Sequence, residues 1–256
     1  MKKLFAILMA LVMVLSLMTV SAETATDKQY VLDKGSLVVG ITDFAPMDYK
    51  DADGNWIGFD ADVAKLFAEY LGVKVEFVEI DWDNKILELD AKAVDCIWNG
   101  MTLTDAVKNS METSNPYMNN AQVVVVPADQ ADKYQTVESL AALTFAVEAG
   151  SAGEAVITDL GLNCTPVTAQ ADALMEVAAF TSDAAVLDAL MAAAMIGEGT
   201  NYANLTYTIG LNSEEYGVGF RKESDVTAKF NEFMDKIAAD GTLQALADKY
   251  SLTLAE

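Results

Sequence analysis

Histidine is absent from the 256 residues of the chain, and cysteine occurs only twice. Without histidine the chain can form neither a serine–histidine–aspartate triad nor a histidine-ligated zinc site. Basic residues are scarce too, with 16 lysines and arginines against 39 aspartates and glutamates, for a formal charge of −23. This charge argues against nucleic-acid binding, which depends largely on neutralised phosphates. With four prolines and a hydrophobic fraction of 52%, the sequence predicts a folded acidic globule without low-complexity linkers.

Motifs that hold phosphate or metal are also missing. The chain contains neither G-x-G-x-x-G nor G-x-x-x-x-G-K-[ST], the two glycine-rich phosphate motifs. Asp51, Asp53 and Gly54 have the spacing of half a calcium loop, but Tyr49 would then occupy its first ligand position. We interpret this segment as a solvated turn, and the sequence predicts no cofactor and no metal site.

The first 22 residues have the pattern of a secretory signal peptide. Lys2 and Lys3 form a basic start, an apolar stretch follows over 4–20, and residues 20–22 offer a cleavage site. A membrane anchor is the alternative, because the stretch is at the short end for a spanning helix, but no basic stop-transfer flank follows it. Since no lipobox cysteine ends the stretch either, the mature protein is predicted to be periplasmic or secreted.

The rest of the chain has the pattern of an α/β protein. Short apolar stretches rich in β-branched residues alternate with segments of helical period, and a second such series begins near residue 144. This order predicts two α/β units joined by strands at 122–126 and 205–209. Asp60 is predicted to be the N-cap of a helix that Gly72 ends. The other predicted strands lie at 37–41, 73–80, 94–98, 144–147, 165–168, 184–187 and 216–220, and the other helices at 86–91, 153–160, 170–180, 189–196, 226–239 and 243–250.

Two cysteines in a secreted chain could form a disulfide. Cys96 lies in an apolar strand and Cys164 follows a different element, so we favour two free thiols. The distance between them, which the sequence does not give, leaves the disulfide open.

A turn at 150–153 and three aromatic residues are the first candidates for a binding site. Gly150-Ser151-Ala152-Gly153 follows a strand and opens a helix, so its free N–H groups could hold a carboxylate. An ordinary turn with Ser151 as N-cap is the alternative. Phe44, Trp56 and Trp82 lie in or beside acidic or turn segments, where each could stack on a ligand or serve as scaffold.

Eight segments of the chain follow one another in a characteristic order. They are LVVGITDFAP at 37–46, IGFDAD at 57–62, DWD at 81–83, VDCIWNGMT at 94–102, EAGS at 148–151, SDAAVLD at 182–188, YGVGFRK at 216–222 and DGT at 240–242. Together they resemble the extracytoplasmic solute-binding proteins of amino-acid ABC transporters, the family-3 binders of polar amino acids. The resemblance covers essentially the whole mature chain, and it is specific to the family rather than to the ligand.

The resemblance implies a two-lobed clamshell of the type II periplasmic-binding-protein class, with two α/β lobes joined by two hinge strands. Residues 1–22 would be the signal peptide. The first lobe would be discontinuous, formed by 23–126 and 209–256, and the second lobe would span 127–208.

The resemblance also implies a site for one amino acid between the lobes. Two aromatic rings would sandwich the ligand side chain, and groups of the first lobe would hold its main-chain atoms. N–H groups of the second lobe would bind its carboxylate, and an acidic side chain its ammonium. In that order, the residues are Phe44 and Trp82; Asn99, Gly100 and Thr102; Gly150, Ser151 and Ala152; and Asp188.

Two positions depart from the family pattern. Val107 stands where members usually carry an arginine that clamps the ligand carboxylate, and Ala152 stands where a hydroxyl residue is common. Lys108 follows Val107, but one helical position rotates it by about 100°. Either a shifted register or another donor replaces the arginine, or the ligand is not a standard α-amino acid but an amine, an amide or a modified amino acid.

The function implied is capture of an amino acid or related small amine and its delivery to the membrane permease of an ABC transporter. We expect a monomer without catalytic activity that closes by hinge motion. The alternatives are an enzyme on the same scaffold, such as a cyclohexadienyl dehydratase that would use Glu148 or Asp188, and a ligand-sensing receptor that signals through another protein.

Overall fold

The computed structural model describes residues 26–255, so the predicted signal peptide lies outside the described residues. They form an α/β protein with two principal sheets and a short two-stranded one. The strands are β1 Ser36–Ile41, β2 Tyr49–Lys50, β3 Trp56–Ile57, β4 Lys74–Glu79, β5 Cys96–Thr102, β6 Glu112–Thr113, β7 Met118–Asn120, β8 Gln122–Pro127, β9 Thr144–Glu148, β10 Asn163–Val167, β11 Ala184–Asp188, β12 Leu205–Gly210 and β13 Glu214–Phe220. The helices are α1 Asp27–Lys34, α2 Phe59–Leu71, α3 Lys85–Asp90, α4 Asp105–Ser110, α5 Ala152–Asp159, α6 Gln170–Ala178, α7 Ala189–Met195, α8 Val226–Ala239 and α9 Thr242–Lys249.

The first sheet has the strand order β4-β1-β5-β13-β6, with β7 also paired to β13. β1 is parallel to β4 and β5, whereas β13 returns late in the chain to lie antiparallel to β5. The sheet therefore combines strands from both ends of the described chain, and we call the part of the molecule built on it the first lobe.

The second sheet has the order β10-β9-β11-β8-β12. β9 lies parallel to β10 and β11, and β8 lies antiparallel to β11 and β12. Every one of these strands comes from the segment 122–210, which forms the second lobe.

The chain crosses between the lobes twice. The first crossing is at Ala121, between β7 of the first sheet and β8 of the second, and the other runs through 211–213, between β12 and β13. The strands at 122–126 and 205–209 both exist, but they lie side by side at one edge of the second sheet. Strand 122–126, which the sequence assigned to the first lobe, is thus a strand of the second one, because its apolar side chains pack on both faces of that sheet.

Helix α2 begins earlier than predicted, and Asp60 is not its N-cap. Gly58 occupies the N-cap position, and Asp60 lies fully buried in the first turn. Its carboxylate accepts hydrogen bonds from the N–H of Gly100 at 2.7 Å and from the hydroxyl of Tyr117 at 2.8 Å. The sequence pattern places a capping residue there, but tertiary partners take up the carboxylate instead.

The two cysteines are free, as the sequence favoured, because each belongs to a different sheet. Cys96 is buried in β5 of the first lobe and Cys164 is partly exposed in β10 of the second. Over residues 26–255, no helix combines the length and apolarity needed to cross a membrane.

Candidate functional site

A cavity of about 370 Å³ lies between the two lobes. It is lined by the end of β5 and the start of α3 from the first lobe, and by the ends of β9 and β11 and the start of α5 from the second. Eight of the nine residues singled out in the sequence line it: Trp82, Asn99, Gly100, Thr102, Gly150, Ser151, Ala152 and Asp188.

The first-lobe wall is formed where β5 leaves the sheet. Asn99 is fixed by Thr42, whose N–H donates to Asn99 Oδ1 at 3.0 Å and whose hydroxyl accepts from Asn99 Nδ2 at 2.6 Å. Thr102 donates its hydroxyl to Oε1 of Glu214 at 2.9 Å. The polar groups of this wall are therefore held in place by neighbours in the same lobe, including Glu214 on β13.

Phe44 is the predicted site residue that does not line the cavity. Its ring is 2% exposed and packs edge-on against Tyr216, with centroids 6.4 Å apart. It also lies directly behind Gly100, where a Cβ atom would come within 2.6 Å of the ring. Of the two rings predicted to sandwich the ligand, Trp82 lines this cavity, and Phe44 lies behind Gly100.

The second-lobe wall begins with the predicted strand-to-helix turn. Ser151 is the N-cap of α5, and its hydroxyl accepts a hydrogen bond from the N–H of Glu154. Gly150 adopts a left-handed φ of 71°, and its N–H donates to Oε2 of Glu154 at 2.8 Å. One N–H group expected to hold a ligand carboxylate is therefore already bound to a carboxylate of the protein.

Asp188 ends β11 at the floor of the cavity and is 4% exposed. Its carboxylate accepts hydrogen bonds from the side-chain amides of Asn120 and Gln170 and from the hydroxyl of Tyr216. Burial, followed by the charge of Glu214, raises the pKa of Asp188 to about 7. Asp188 is thus a desolvated acceptor that a cationic group could stabilise in its ionised form.

A second buried carboxylate, Glu148, faces the same cavity from the end of β9. It is 3% exposed, and its Oε1 has no hydrogen-bond partner among the described residues. Burial, and then the charge of Asp188, raises the pKa of Glu148 to about 8. A buried oxygen without a partner is unfavourable, so this group is a natural acceptor for a ligand donor.

Lys85, at the start of α3, brings a positive charge to the cavity. Its Nζ donates to the carbonyl oxygen of Trp82 at 3.1 Å and, across the cleft, to that of Gly150 at 2.7 Å. Only 7% of the residue is exposed, and desolvation lowers the pKa of its ammonium. The ammonium also lies 4.9 Å from the centre of the Trp82 ring.

The position expected to carry an arginine is apolar in the structure as well. Val107 is buried in α4 and contributes an aliphatic side chain to the cavity wall. Lys108 is exposed and lines a neighbouring groove instead of the cavity. The structure therefore does not place Lys108 where the arginine would act.

Sequence reasoning missed Lys85 and considered Glu148 only as a catalytic candidate. The position of Lys85 at the start of a helix could have drawn attention to it. A cation there is disfavoured by the positive end of the helix dipole, so its presence suggests a function. Glu148 ends the strand Thr144–Glu148 after three buried apolar residues, which is an unusual place for a carboxylate without a function.

Comparisons with known proteins give a consistent result. The family model of the bacterial extracellular solute-binding proteins, family 3, matches residues 37–253. The arginine-binding extracellular protein ArtP of Bacillus subtilis is 27% identical over 224 residues, which are 85% of this chain and 86% of that protein. The L-cystine-binding protein TcyJ of Escherichia coli is 26% identical over 86% of this chain and 84% of its own length.

Solved structures agree with this comparison. A P235GK mutant of ArgBP from T. maritima superposes with a TM-score of 0.81 at 32% identity, covering 88% of this chain and 98% of that one. The ancestral amino acid-binding protein AncCDT-1, a precursor of cyclohexadienyl dehydratase, has a TM-score of 0.79 at 31% identity over 87% of this chain and 98% of its own.

Proposed function

The chain belongs to the bacterial extracellular solute-binding proteins of family 3, and from that membership we propose that it captures an amino acid or a related small amine-bearing solute between its lobes. The solute would then be delivered to the membrane permease of an ABC transporter. The observation that carries the proposal is the pair of buried carboxylates, Glu148 and Asp188, which face one interlobe cavity of about 370 Å³. A cavity of this size accepts a small molecule and no macromolecule.

Each wall of the cavity has a role in this proposal. Asp188 and Glu148 accept the amino groups of the solute, because an ammonium removed from water needs a charged acceptor. Trp82 covers its apolar part, and Thr102, with Asn99 and Gly100 beside it, contacts its main-chain atoms. Ser151 and Ala152 present the start of α5 to its carboxylate. Phe44 supports Gly100 from behind.

Closure of the lobes would be the working motion. The lobes are joined only by the crossings at Ala121 and 211–213 within the described chain, so rotation there opens or closes the cavity with little change inside either lobe. We propose that these crossings form the hinge, with the lobes spanning 122–210 and the remainder. We also propose that the protein is secreted, as the signal-peptide pattern of residues 1–22 predicts. We propose a monomer as well, since one chain supplies every wall of the cavity described above.

Thermal unfolding against a panel of amino acids, amines and organic acids tests this function. A ligand at 100 times its dissociation constant adds about 2.7 kcal/mol to the free energy of unfolding. The proposal expects at least one amino acid or amine to raise the melting temperature of residues 23–256. Stabilisation by organic acids alone, or by no compound of the panel, would contradict it.

An enzyme on this scaffold is the second candidate, and one observation favours it. Glu148 has a raised pKa and lies in the cavity, so it holds a proton that it could donate to a substrate near neutral pH. We propose binding without catalysis, because the curated relatives named above are binding proteins. Chromatography of each stabilising compound after incubation with the protein tests this, and conversion that Glu148→Gln abolishes would favour the enzyme.

A further inference from the structure

We propose that Lys85 replaces the missing arginine and binds the carboxylate of the solute, an inference that rests on the proposed function. It makes Lys85 a specificity-determining residue that selects α-amino acids over the corresponding amines. Three features of the cavity support it: the balance of charge along the wall, the occupation of the other donors, and the position of the Lys85 ammonium.

The cavity wall is strongly acidic. Four carboxylic residues line it, and among the described residues of the wall Lys85 carries the single basic side chain. A solute carboxylate that enters such a cavity meets repulsion unless one cation lies beside it. Lys85 is the group that can offset this repulsion. The four acidic residues are Glu148, Glu154, Asp159 and Asp188.

Several other candidate donors are occupied or remote. Val107 offers no polar atom, and Lys108 lies on the neighbouring groove. The N–H of Gly150 is bound to Glu154. The start of α5 has therefore given one of its donors to a carboxylate of the protein, and Lys85 would supply a donor in its place.

Lys85 lies where that donor is needed. Its ammonium touches the carbonyl oxygen of Gly150, which directly precedes the N-cap Ser151. An ammonium donates three hydrogen bonds, and the described residues accept two of them, at Trp82 and Gly150. The third N–H is available to a carboxylate held between Lys85 and the first turn of α5.

The bond to Gly150 also couples this recognition to closure. Lys85 belongs to the first lobe and Gly150 to the second, so the cation reaches the helix start only when the lobes approach each other. A solute with a carboxylate would stabilise the closed form through both lobes, whereas an amine would lack this contact.

L-arginine and agmatine, its decarboxylated analogue, are the probes that test this role, measured by isothermal titration calorimetry. We expect the wild type to prefer arginine by about 10- to 100-fold, the range of a hydrogen bond to a charged group. Lys85→Met should lower arginine affinity and leave agmatine affinity nearly unchanged, so that the preference falls to about threefold or less. Lys85→Arg, which keeps a charged donor, should retain part of the preference.

Lys108→Met is the matched control, because it removes a neighbouring exposed cation, and it should keep the full preference. Equal losses for both probes in Lys85→Met would overturn the inference, since they indicate a purely structural bridge to Gly150. A wild type that binds agmatine as tightly as arginine would overturn it as well, while amine capture would stand. If neither probe binds and the melting panel is also without effect, the proposed function and this inference both fail.

Discussion

The hydroxyl of Tyr216, on β13 of the first lobe, donates a hydrogen bond of 2.5 Å to Oδ1 of Asp188, on β11 of the second lobe. Both residues are buried, with Tyr216 fully enclosed. The carboxylate at the floor of the cavity is thus oriented by a residue of the opposite lobe. Because this bond spans the cleft, it links two features of the molecule. It orients the carboxylate that would bind an ammonium, and it forms when the lobes approach each other.

Replacing Tyr216 by phenylalanine removes this contact and keeps the ring. Asp188 loses a donor that favours its ionised form, so its pKa should rise and its affinity for a cationic solute should fall about tenfold at pH 7. Titration calorimetry with the best compound of the melting panel measures the loss. Tyr207→Phe, at a residue that is 45% exposed, is the control. Unchanged affinity in Tyr216→Phe would show that the bond does not contribute to binding.

The affinity for a cationic solute should increase with pH. Glu148 and Asp188, with pKa values of about 8 and about 7, bind protons in the empty cavity that a bound cation displaces. Raising the pH removes those protons in advance, so agmatine, which stays charged, should bind more tightly at pH 8.5 than at pH 6.5. Calorimetry in buffers of different ionisation enthalpy counts the protons released.

Glu148→Gln should release fewer protons and show a flatter pH profile than the wild type. Glu76→Gln, which changes an exposed residue of β4, should behave like the wild type. A wild-type affinity that falls as the pH rises would contradict the assignment of these carboxylates as cation acceptors.

The free energy of unfolding of the empty protein should fall as the pH rises. Asp48 and Asp60 are fully buried in the first lobe, and both oxygens of Asp48 have no partner within the described part of the chain. Burial raises the pKa of Asp60 to about 7 and, together with the charge of Asp60, raises that of Asp48 well above its usual range. A carboxyl group whose pKa is raised in the folded state stabilises the fold at pH values below its unfolded-state pKa of about 3.9. This contribution is lost as the pH rises through the pKa of the folded state.

Asp48→Asn separates this effect from all other titrations. The amide mimics the neutral acid, so the variant should resemble the wild type at pH 4 and exceed its free energy of unfolding at pH 8, because only the wild-type side chain is driven to ionise as the pH rises. Urea unfolding at the two values measures the difference. A variant that gains equally at both values would show that packing, and not the proton, is responsible.

Much of the architecture could be predicted from the sequence, because in both lobes apolar stretches form buried strands and segments of helical period form amphipathic helices. The helix predicted at 226–239 has those bounds in the structure, since its apolar face recurs with helical period. The position of strand 122–126 could not be predicted in the same way. Its continuous apolar stretch shows burial on both faces, but the neighbours that bury it come from segments far along the chain.

The site was predicted less completely, for a related reason. The family pattern led to residues at strand ends, such as Asp188, that line the cavity. The burial of Phe44 behind Gly100 could not be predicted, because it depends on how the backbone at Gly100 packs against the ring. Lys85 and Gly150 are 65 positions apart in the sequence, and they meet only because the two lobes approach each other.

A methyl group at Gly150 should hold the lobes apart. An ideal Cβ at this position would lie 2.8 Å from Oδ1 and 2.9 Å from Cα of Asp83, which belongs to the opposite lobe. Because one of these atoms is backbone, the contact is relieved by opening the cleft and not by a side-chain rotation. Gly150→Ala should therefore weaken solute binding by about tenfold or more, as overpacking of a closed contact typically costs about 1–3 kcal/mol.

Gly161→Ala is the control that separates this effect from backbone strain. Gly161 has a φ of 68°, close to the 71° of Gly150, but a Cβ there would meet nothing within 4 Å. Both variants should lose similar stability, about 1 kcal/mol, from an alanine in the left-handed region. Only Gly150→Ala should bind more weakly and keep a larger radius of gyration in small-angle scattering at saturating solute. Equal affinities in the two variants would mean that Asp83 yields to the methyl group and that closure does not require the contact at Gly150.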